Sequence, residues 1–347
     1  MCYIIKCNGL HIGKGGKFTM TTIRDVAKLA GVSVATVSRV LNKSGYVSEA
    51  SKEKVKKAVK ELNYYPNEVA RSLFQKRSNF IGLLLPDITN PFFPALAKGV
   101  EDSVTNRGYS LLLGNVENDP EKEEEYLKIF AQNNIAGVIS AVQGKNKNFK
   151  NIPMVVLDRV DDAQKYSVHS DDFKGGKLAA QSIIEGEPKE LVIMAGPKEV
   201  SGANIRLAGN EKVLKEANID YQIFQTKSYQ IDYAEETAQA LFKEYPNVDS
   251  VIASNDVYAI AMMKEAIKRG LEIPKDFQII GYDDMPFSRM VYPGLSTIVQ
   301  PAYEIGFQGA ELICDILENK TIKEAQIQLT VQRVMRESLR KKDEDEK

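Results

Sequence analysis

Two kinds of apolar spacing divide the chain. Between residues 21 and 62 apolar positions recur at intervals of three and four, the period of helices packed on one side. Val26, Ala27, Leu29 and Ala30 mark one such face, Val37, Val40 and Leu41 a second, and Val55, Ala58, Val59 and Leu62 a third. Thr22 and Asp25 have the spacing of a capping box, and Gly31 supplies the left-handed residue that ends the first helix. Ser33 and Ser48 can cap the next two. Pro66 then breaks the third helix, and Asn67 opens a segment too short to hold as an isolated helix in water. From residue 80 short apolar runs alternate with helical segments; the runs are 81–85, 111–113, 138–139, 154–157, 191–194, 251–253 and 278–280. That alternation predicts buried parallel strands covered by helices.

The outward residues of the second helix are Val34, Ala35, Ser38, Arg39 and Asn42. Small side chains there allow close approach, and the polar ones offer hydrogen bonds, as in a helix-turn-helix that reads the DNA major groove. An ordinary helical hairpin is the plain alternative, and charge decides against it. Residues 20–77 carry twelve Lys and Arg against five Asp and Glu, a net of +7, and residues 1–19 add +3. The rest of the chain stands at −11, so a polyanion partner is expected for the head alone.

Composition narrows the remainder. With 43% hydrophobic and 27% charged residues the chain reads as globular, and no apolar run approaches the roughly 18 residues of a membrane span. Cys2, Cys7, Cys314, His11 and His169 have no metal-ligand spacing, and so sparse a set of thiols fits a reducing cytosol. No metal and no cofactor are expected. Residues 1–19 show no periodic element and no signal-peptide pattern. The expectation is that translation starts at Met20, with Lys14-Gly15-Gly16-Lys17 encoded by a purine-rich ribosome-binding sequence, or that 1–19 is a disordered leader.

Parallel sheets bind ligands beyond the carboxyl ends of their strands. There the chain places Asp87, Asn90, Phe92, Phe93, Asn115, Asp158, Arg159, Asn255, Asp256, Asp283 and Asp284, while segments 201–209 and 296–301 add Arg206 and Gln300. Carboxylates, amides and guanidinium groups can each hold two neighbouring hydroxyls, and an aromatic face covers the C–H side of a sugar. One such Asp or Asn would only cap the next helix. Several together favour a shared cleft for a small polyhydroxylated ligand. Neither G-x-G-x-x-G nor G-x-x-x-x-G-K-[ST] occurs and no nucleophile is paired with histidine, so no catalytic residues are expected.

From Met20 nearly to its end the chain resembles the lac-repressor family of bacterial transcription regulators. The resemblance is carried by residues 22–42, 65–73 and 81–93, then by Arg206-Leu207-Ala208-Gly209, Ser254-Asn255-Asp256, Ile280-Gly281-Tyr282-Asp283-Asp284 and Thr297-Ile298-Val299-Gln300-Pro301. It implies an α/β core of two doubly wound, periplasmic-binding-protein-like lobes behind an all-α helix-turn-helix domain. The expected divisions are 1–19 as leader, 20–64 as DNA-binding domain, 65–79 as hinge helix and linker, and 80–347 as core. Lobe one spans about 80–168 plus 300–333 and lobe two about 169–299, with crossovers near 168–171 and 296–300. The resemblance further implies a cytoplasmic homodimer on double-stranded operator DNA. Its DNA-binding residues map onto Thr22, Ser33, Val34, Ala35, Thr36, Ser38, Arg39 and Asn42, with Leu73 as an apolar wedge in the minor groove and Phe74 beside it.

Within that family, Asn63-Tyr64-Tyr65-Pro66-Asn67-Glu68, the 87–93 stretch and Leu157-Asp158-Arg159 resemble the ribose-operon repressors. The implied effector-binding set is Asn90, Phe92, Phe93, Asp158, Arg159, Arg206, Asn255, Asp283 and Gln300, with ribose as the effector. Purine-responsive relatives carry an aromatic residue where Arg159 stands. The C-terminal residues 340–347 have no apolar heptad seam, so a dimer is expected rather than a tetramer. The function read from this is a sugar-released repressor of a sugar-utilisation operon. The rivals are the same architecture working with a corepressor or another ligand (purine, sucrose or another sugar, a sugar phosphate), and a sugar-binding transport protein.

Overall fold

The structure, a computed structural model, describes residues 10–12, 18–42, 44–65, 78–142, 152–160 and 164–341. The chain divides into two compact units, 1–78 and 79–347.

In the first unit, β1 (Leu10–Ile12) pairs antiparallel with β2 (Phe18–Met20), where the sequence suggested no element. Three helices follow: α1 (Ile23–Ala30), α2 (Val34–Leu41) and α3 (Glu49–Glu61). The expected caps form. Asp25 Oδ2 accepts hydrogen bonds from Thr22 N at 2.8 Å and Thr22 Oγ1 at 2.7 Å, and Ser33 Oγ accepts from Thr36 N at 3.1 Å. Gly31, at φ +63°, ends α1 in the left-handed conformation. Val26, Ala27, Ala30, Val37, Val55, Ala58 and Tyr64 make one small core. Leu29 is a correction: it stands 47% exposed, because the inward face of an eight-residue helix is already filled by Val26, Ala27 and Ala30.

The second unit holds two sheets of six strands. The first has the order β13-β7-β6-β5-β3-β4, from β3 (Phe80–Leu85), β4 (Ser110–Asn115), β5 (Gly137–Ser140), β6 (Met154–Leu157), β7 (Ser167–Ser170) and β13 (Gln326–Leu329). All its pairings are parallel. The second has the order β14-β12-β11-β10-β8-β9, from β8 (Leu191–Ala195), β9 (Tyr221–Gln225), β10 (Ser250–Ile252), β11 (Gln278–Asp283), β12 (Ser296–Val299) and β14 (Gln332–Val334). Here only β14 runs antiparallel.

Helices cover both faces of each sheet, which is why strands such as β3 and β8 are apolar on both sides. On the first sheet α4 (Phe92–Asn106) and α10 (Ala302–Leu317) close the main core, and α5 (Pro120–Gln132) sets Leu127 and Phe130 on the opposite face. On the second, α6 (Asp172–Ile184) and α7 (Ser201–Glu216) cover one face, and α8 (Ala234–Glu244) and α9 (Asp256–Lys268) the other.

The chain passes between the lobes at β7–α6, at β12–α10 and at β13–β14. The last crossing corrects the expected boundary, since Gln332 and Arg333 lie in the second sheet rather than in lobe one. Beyond it, Ser338 Oγ donates to the Ile279 carbonyl at 2.7 Å, and Arg340 Nη2 bonds Asp249 Oδ2 at 2.7 Å, so polar contacts bind this end to lobe two.

Two constraints inside lobe two place functional residues. The α6 and α7 backbones touch at glycines: a Cβ on Gly176 would collide with the Arg206 carbonyl oxygen, and one on Gly209 with that of Phe173. Gly176→Ala should therefore lower the urea-unfolding stability of the core by about 1–3 kcal/mol; an unchanged midpoint would remove this reading of the contact.

The second is Asp256, fully buried at the start of α9. Its Oδ2 accepts from Met285 N at 2.7 Å and Ser288 Oγ at 2.6 Å, and its Oδ1 from Thr297 Oγ1 at 2.6 Å. One carboxyl thus joins α9, the 286–289 turn and β12. Burial outweighs these donors and pushes its pKa up to about 7 from 3.8. A pKa higher in the folded than in the unfolded chain means that protonation favours the fold. The contribution is complete below about pH 4 and is lost as pH rises through about 7. In melts from pH 5 to 8, the melting temperature of the native protein should fall relative to Asp256→Asn; parallel curves would contradict the assignment.

Candidate functional site

The outer face of α2 is the first candidate surface. Val34, Ala35, Arg39 and Asn42 are exposed, as is Ser33, while Thr36 and Ser38 are half-buried. Asn42 Nδ2 donates to Ser38 Oγ at 3.2 Å, which lines these two polar groups along one side of the helix. Thr22, also exposed, has its hydroxyl proton engaged by Asp25. Tyr46, 91% exposed in the loop before α3, was not among the sequence candidates. Leu73 and Phe74 lie outside the described residues.

The second candidate is a pocket between the lobes, with about 370 Å³ of atom-free space counting its open part. Asn90, Phe92, Phe93, Asp158, Arg159, Arg206, Asn255, Asp283 and Gln300 all line it, together with Val200 and Tyr229. Every residue of the sequence-derived set is therefore in one place.

Each lining residue has a local reason for its position. Asn90 follows β3, and its Oδ1 accepts from Phe92 N at 3.1 Å; Asn255 follows β10, and its Oδ1 accepts from Tyr258 N at 3.0 Å. Asn255 caps α9, Asn90 accepts from the first residue of α4 just ahead of its cap, and both residues line the pocket, so helix-terminus and ligand-site readings hold together. Phe92 and Phe93 meet edge to face, with ring centroids 5.2 Å apart, and the Arg159 guanidinium lies 5.7 Å from the Phe93 ring centre. Arg159 Nη1 also donates to Asn118 Oδ1 at 2.6 Å.

Asp158, directly after β6, and Asp283, at the end of β11, have φ +61° and +104°, and Asp284 follows at +54°. Such conformations are uncommon for residues with a side chain and cluster where a chain is held for function. Gln300 Nε2 donates to Asp158 Oδ1 at 2.7 Å, binding a crossover residue to the pocket. Arg206 comes from α7. Its Nη2 donates to Tyr229 Oη at 3.0 Å, its Nε lies 3.6 Å from Asp172 Oδ1, and its guanidinium stacks 4.2 Å from the Tyr282 ring centre. Burial raises the carboxyl pKa of Asp283 well above the ordinary range.

Other residues at the strand ends hold the fold instead. Asp87 Oδ1 accepts from Thr89, Asn115 Oδ1 from Ile88 N, and Asp284 Oδ1 from Arg336, all without lining the pocket. Tyr229 was missed because it follows β9, an edge strand whose alternation Tyr-Gln-Ile-Phe-Gln makes no apolar run. Val200 was missed because an apolar residue before a helix gives no chemical signal.

Residues 22–67 match the family model for bacterial regulatory proteins of the lacI family, and residues 81–321 that for a periplasmic binding protein domain. Over 93% of its length the chain is 48% identical to the ribose operon repressor of Bacillus subtilis (strain 168), covering all of that protein. It is 42% identical to the ribose operon repressor of Lactococcus lactis subsp. lactis (strain IL1403), covering 93% of this chain and 99% of that one. Among solved structures, the lac repressor dimer bound to operator and an anti-inducer superposes with a TM-score of 0.82 at 25% identity, covering 92% of this chain and 98% of that one. A regulator of the family from Enterococcus faecium with bound ribose superposes with a TM-score of 0.68 at 26% identity, covering 75% of this chain and 98% of that one. With the helix-turn-helix, the two-lobed core and these matches in hand, the chain belongs to the lacI family of bacterial regulatory proteins.

Proposed function

We propose that this protein is a cytoplasmic transcriptional repressor of a sugar-utilisation operon, a homodimer that holds a two-fold operator through its helix-turn-helix heads and leaves it on binding ribose. The observation that carries the sugar reading is the pocket: carboxylates, amides, guanidinium groups and two aromatic rings, drawn from both lobes, converge on one cleft. The ribose operon repressors among its relatives and the ribose-bound family structure support the same ligand. A charged, hydrogen-bonded Arg159 stands where purine-responsive relatives place an aromatic ring. A transport protein with this core would have no use for a basic three-helix head. Among the described residues no helix is long and apolar enough to cross a membrane. No catalytic role is assigned, in line with relatives that are repressors.

Val34 and Ala35 are the residues proposed to touch base edges such as thymine methyls, with Arg39 reaching guanine or phosphate. Thr22, Ser33, Thr36, Ser38 and Asn42 would position the helix. The wedge role of Leu73, with Phe74 beside it, rests on the family resemblance alone.

Sugar held by both lobes shifts the balance between two lobe arrangements, and only to the extent that it binds them unequally. In fluorescence anisotropy with operator DNA selected from a random library, saturating ribose should weaken binding at least about tenfold. Arg206→Ala should bind the same DNA as tightly and lose the response. Unchanged or stronger binding with ribose would favour the corepressor or other-ligand reading. Arg39→Ala should lower operator affinity by about 1–3 kcal/mol and leave ribose affinity intact; equal operator affinity would remove Arg39 from the interface.

A further inference from the structure

Against the pocket lies a second, larger compartment that shares Arg159, Val200 and Tyr229 with it and opens to solvent. Its atom-free space is about 1300 Å³, counting the open part. The two spaces adjoin at those shared residues, so a group carried on a sugar held by the inner ones would reach the outer compartment. The walls there carry four carboxylates, Glu117, Asp119, Glu123 and Glu199, against Arg159 and Lys227. Glu117 is already paired with Lys122 at 2.6 Å, and Arg159 is engaged by Asn118.

The start of α5 reaches this space through Asp119, Pro120 and Glu123, and a helix N-terminus ordinarily attracts anions. This one is closed by the protein's own carboxylates. Asp119 Oδ1 accepts from Glu121 N at 2.8 Å, and Glu121 and Glu123 stand in the first turn.

Glu123 is the second observation. It is only 6% exposed, lines the compartment, and its carboxyl has no hydrogen-bond or ion-pair partner among the described residues. Burying a carboxyl without a partner is costly. A phosphate entering beside it brings like charge and further acceptors, with no donor to offer the carboxylate.

We infer that the outer compartment is a charge filter in which Glu123 is the specificity-determining residue, admitting an uncharged sugar and excluding its phosphate ester. The inference rests on reading the inner pocket as a sugar site and adds which form of the sugar it takes. Isothermal titration of the full-length dimer with ribose and ribose 5-phosphate tests it. The native protein should prefer ribose by at least about a hundredfold, with the gap narrowing as salt rises from 0.05 to 0.5 M. Glu123→Gln should keep ribose affinity within about threefold and strengthen ribose 5-phosphate binding about tenfold. Glu199→Gln, which leaves the buried position untouched, should act in the same direction and more weakly. Comparable affinity of the native protein for the two sugars overturns the filter, as does a gap indifferent to salt or to both substitutions. Failure of the native protein to bind ribose at all overturns the sugar reading instead.

Discussion

A guanidinium largely withdrawn from solvent is the constraint on which the effector side of this protein depends. Arg206 keeps its charge under any condition a protein meets, so its surroundings must answer for it. They do so from three directions: the Asp172 carboxylate, the Tyr229 hydroxyl and the face of Tyr282. Reaching Asp172 requires α6 and α7 to touch backbone to backbone, which the two glycines permit. Asp172 is also the first residue of α6, directly after the chain has crossed from the first lobe. A ligand atom that alters the balance around Arg206 is therefore one residue contact away from the segment joining the lobes, and the pocket and the crossover share an electrostatic ground state.

Much of this was legible in the sequence because the informative residues are informative for two reasons at once. Each of the seven runs lies in or overlaps a strand, and six of those strands stand inside a sheet, where burial on both faces favours apolar residues. Polar residues immediately after those runs had to be caps or ligand groups, and nine of them and their neighbours line a single pocket. The losses follow from the same physics. The edge strands β9, β13 and β14 mix polar with apolar residues and are held by backbone pairing, and the internal strands β7 and β12 carry Ser167, His169, Ser170, Ser296 and Thr297, so none of these five leaves a run to read. With β9 went Tyr229, which follows it. Leu29 was assigned inward because periodicity cannot say how wide a buried face is on a short helix.

The third crossing between lobes was likewise invisible. It consists of residues 330 and 331 between two polar strands, and its role emerges only from pairing. Asp171 N donates to the Leu329 carbonyl at 2.8 Å and Lys174 Nζ to Thr330 Oγ1 at 2.8 Å, which bind the first and third crossings side by side. The lobes are thus joined by three links, two of them tied to each other by hydrogen bonds.

The two asparagines of the pocket limit what can replace them. The side-chain oxygens of Asn90 and Asn255 each accept from the first turn of a helix, and both residues line the pocket. A substitution at either position is felt by a helix terminus as well as by the pocket. Aspartate keeps an accepting oxygen and replaces a donor with an acceptor, whereas an aliphatic side chain forfeits the bond to the helix. The fold thus tolerates a swap of hydrogen-bond polarity at these two positions better than a change of shape, which is left to neighbours such as Val200.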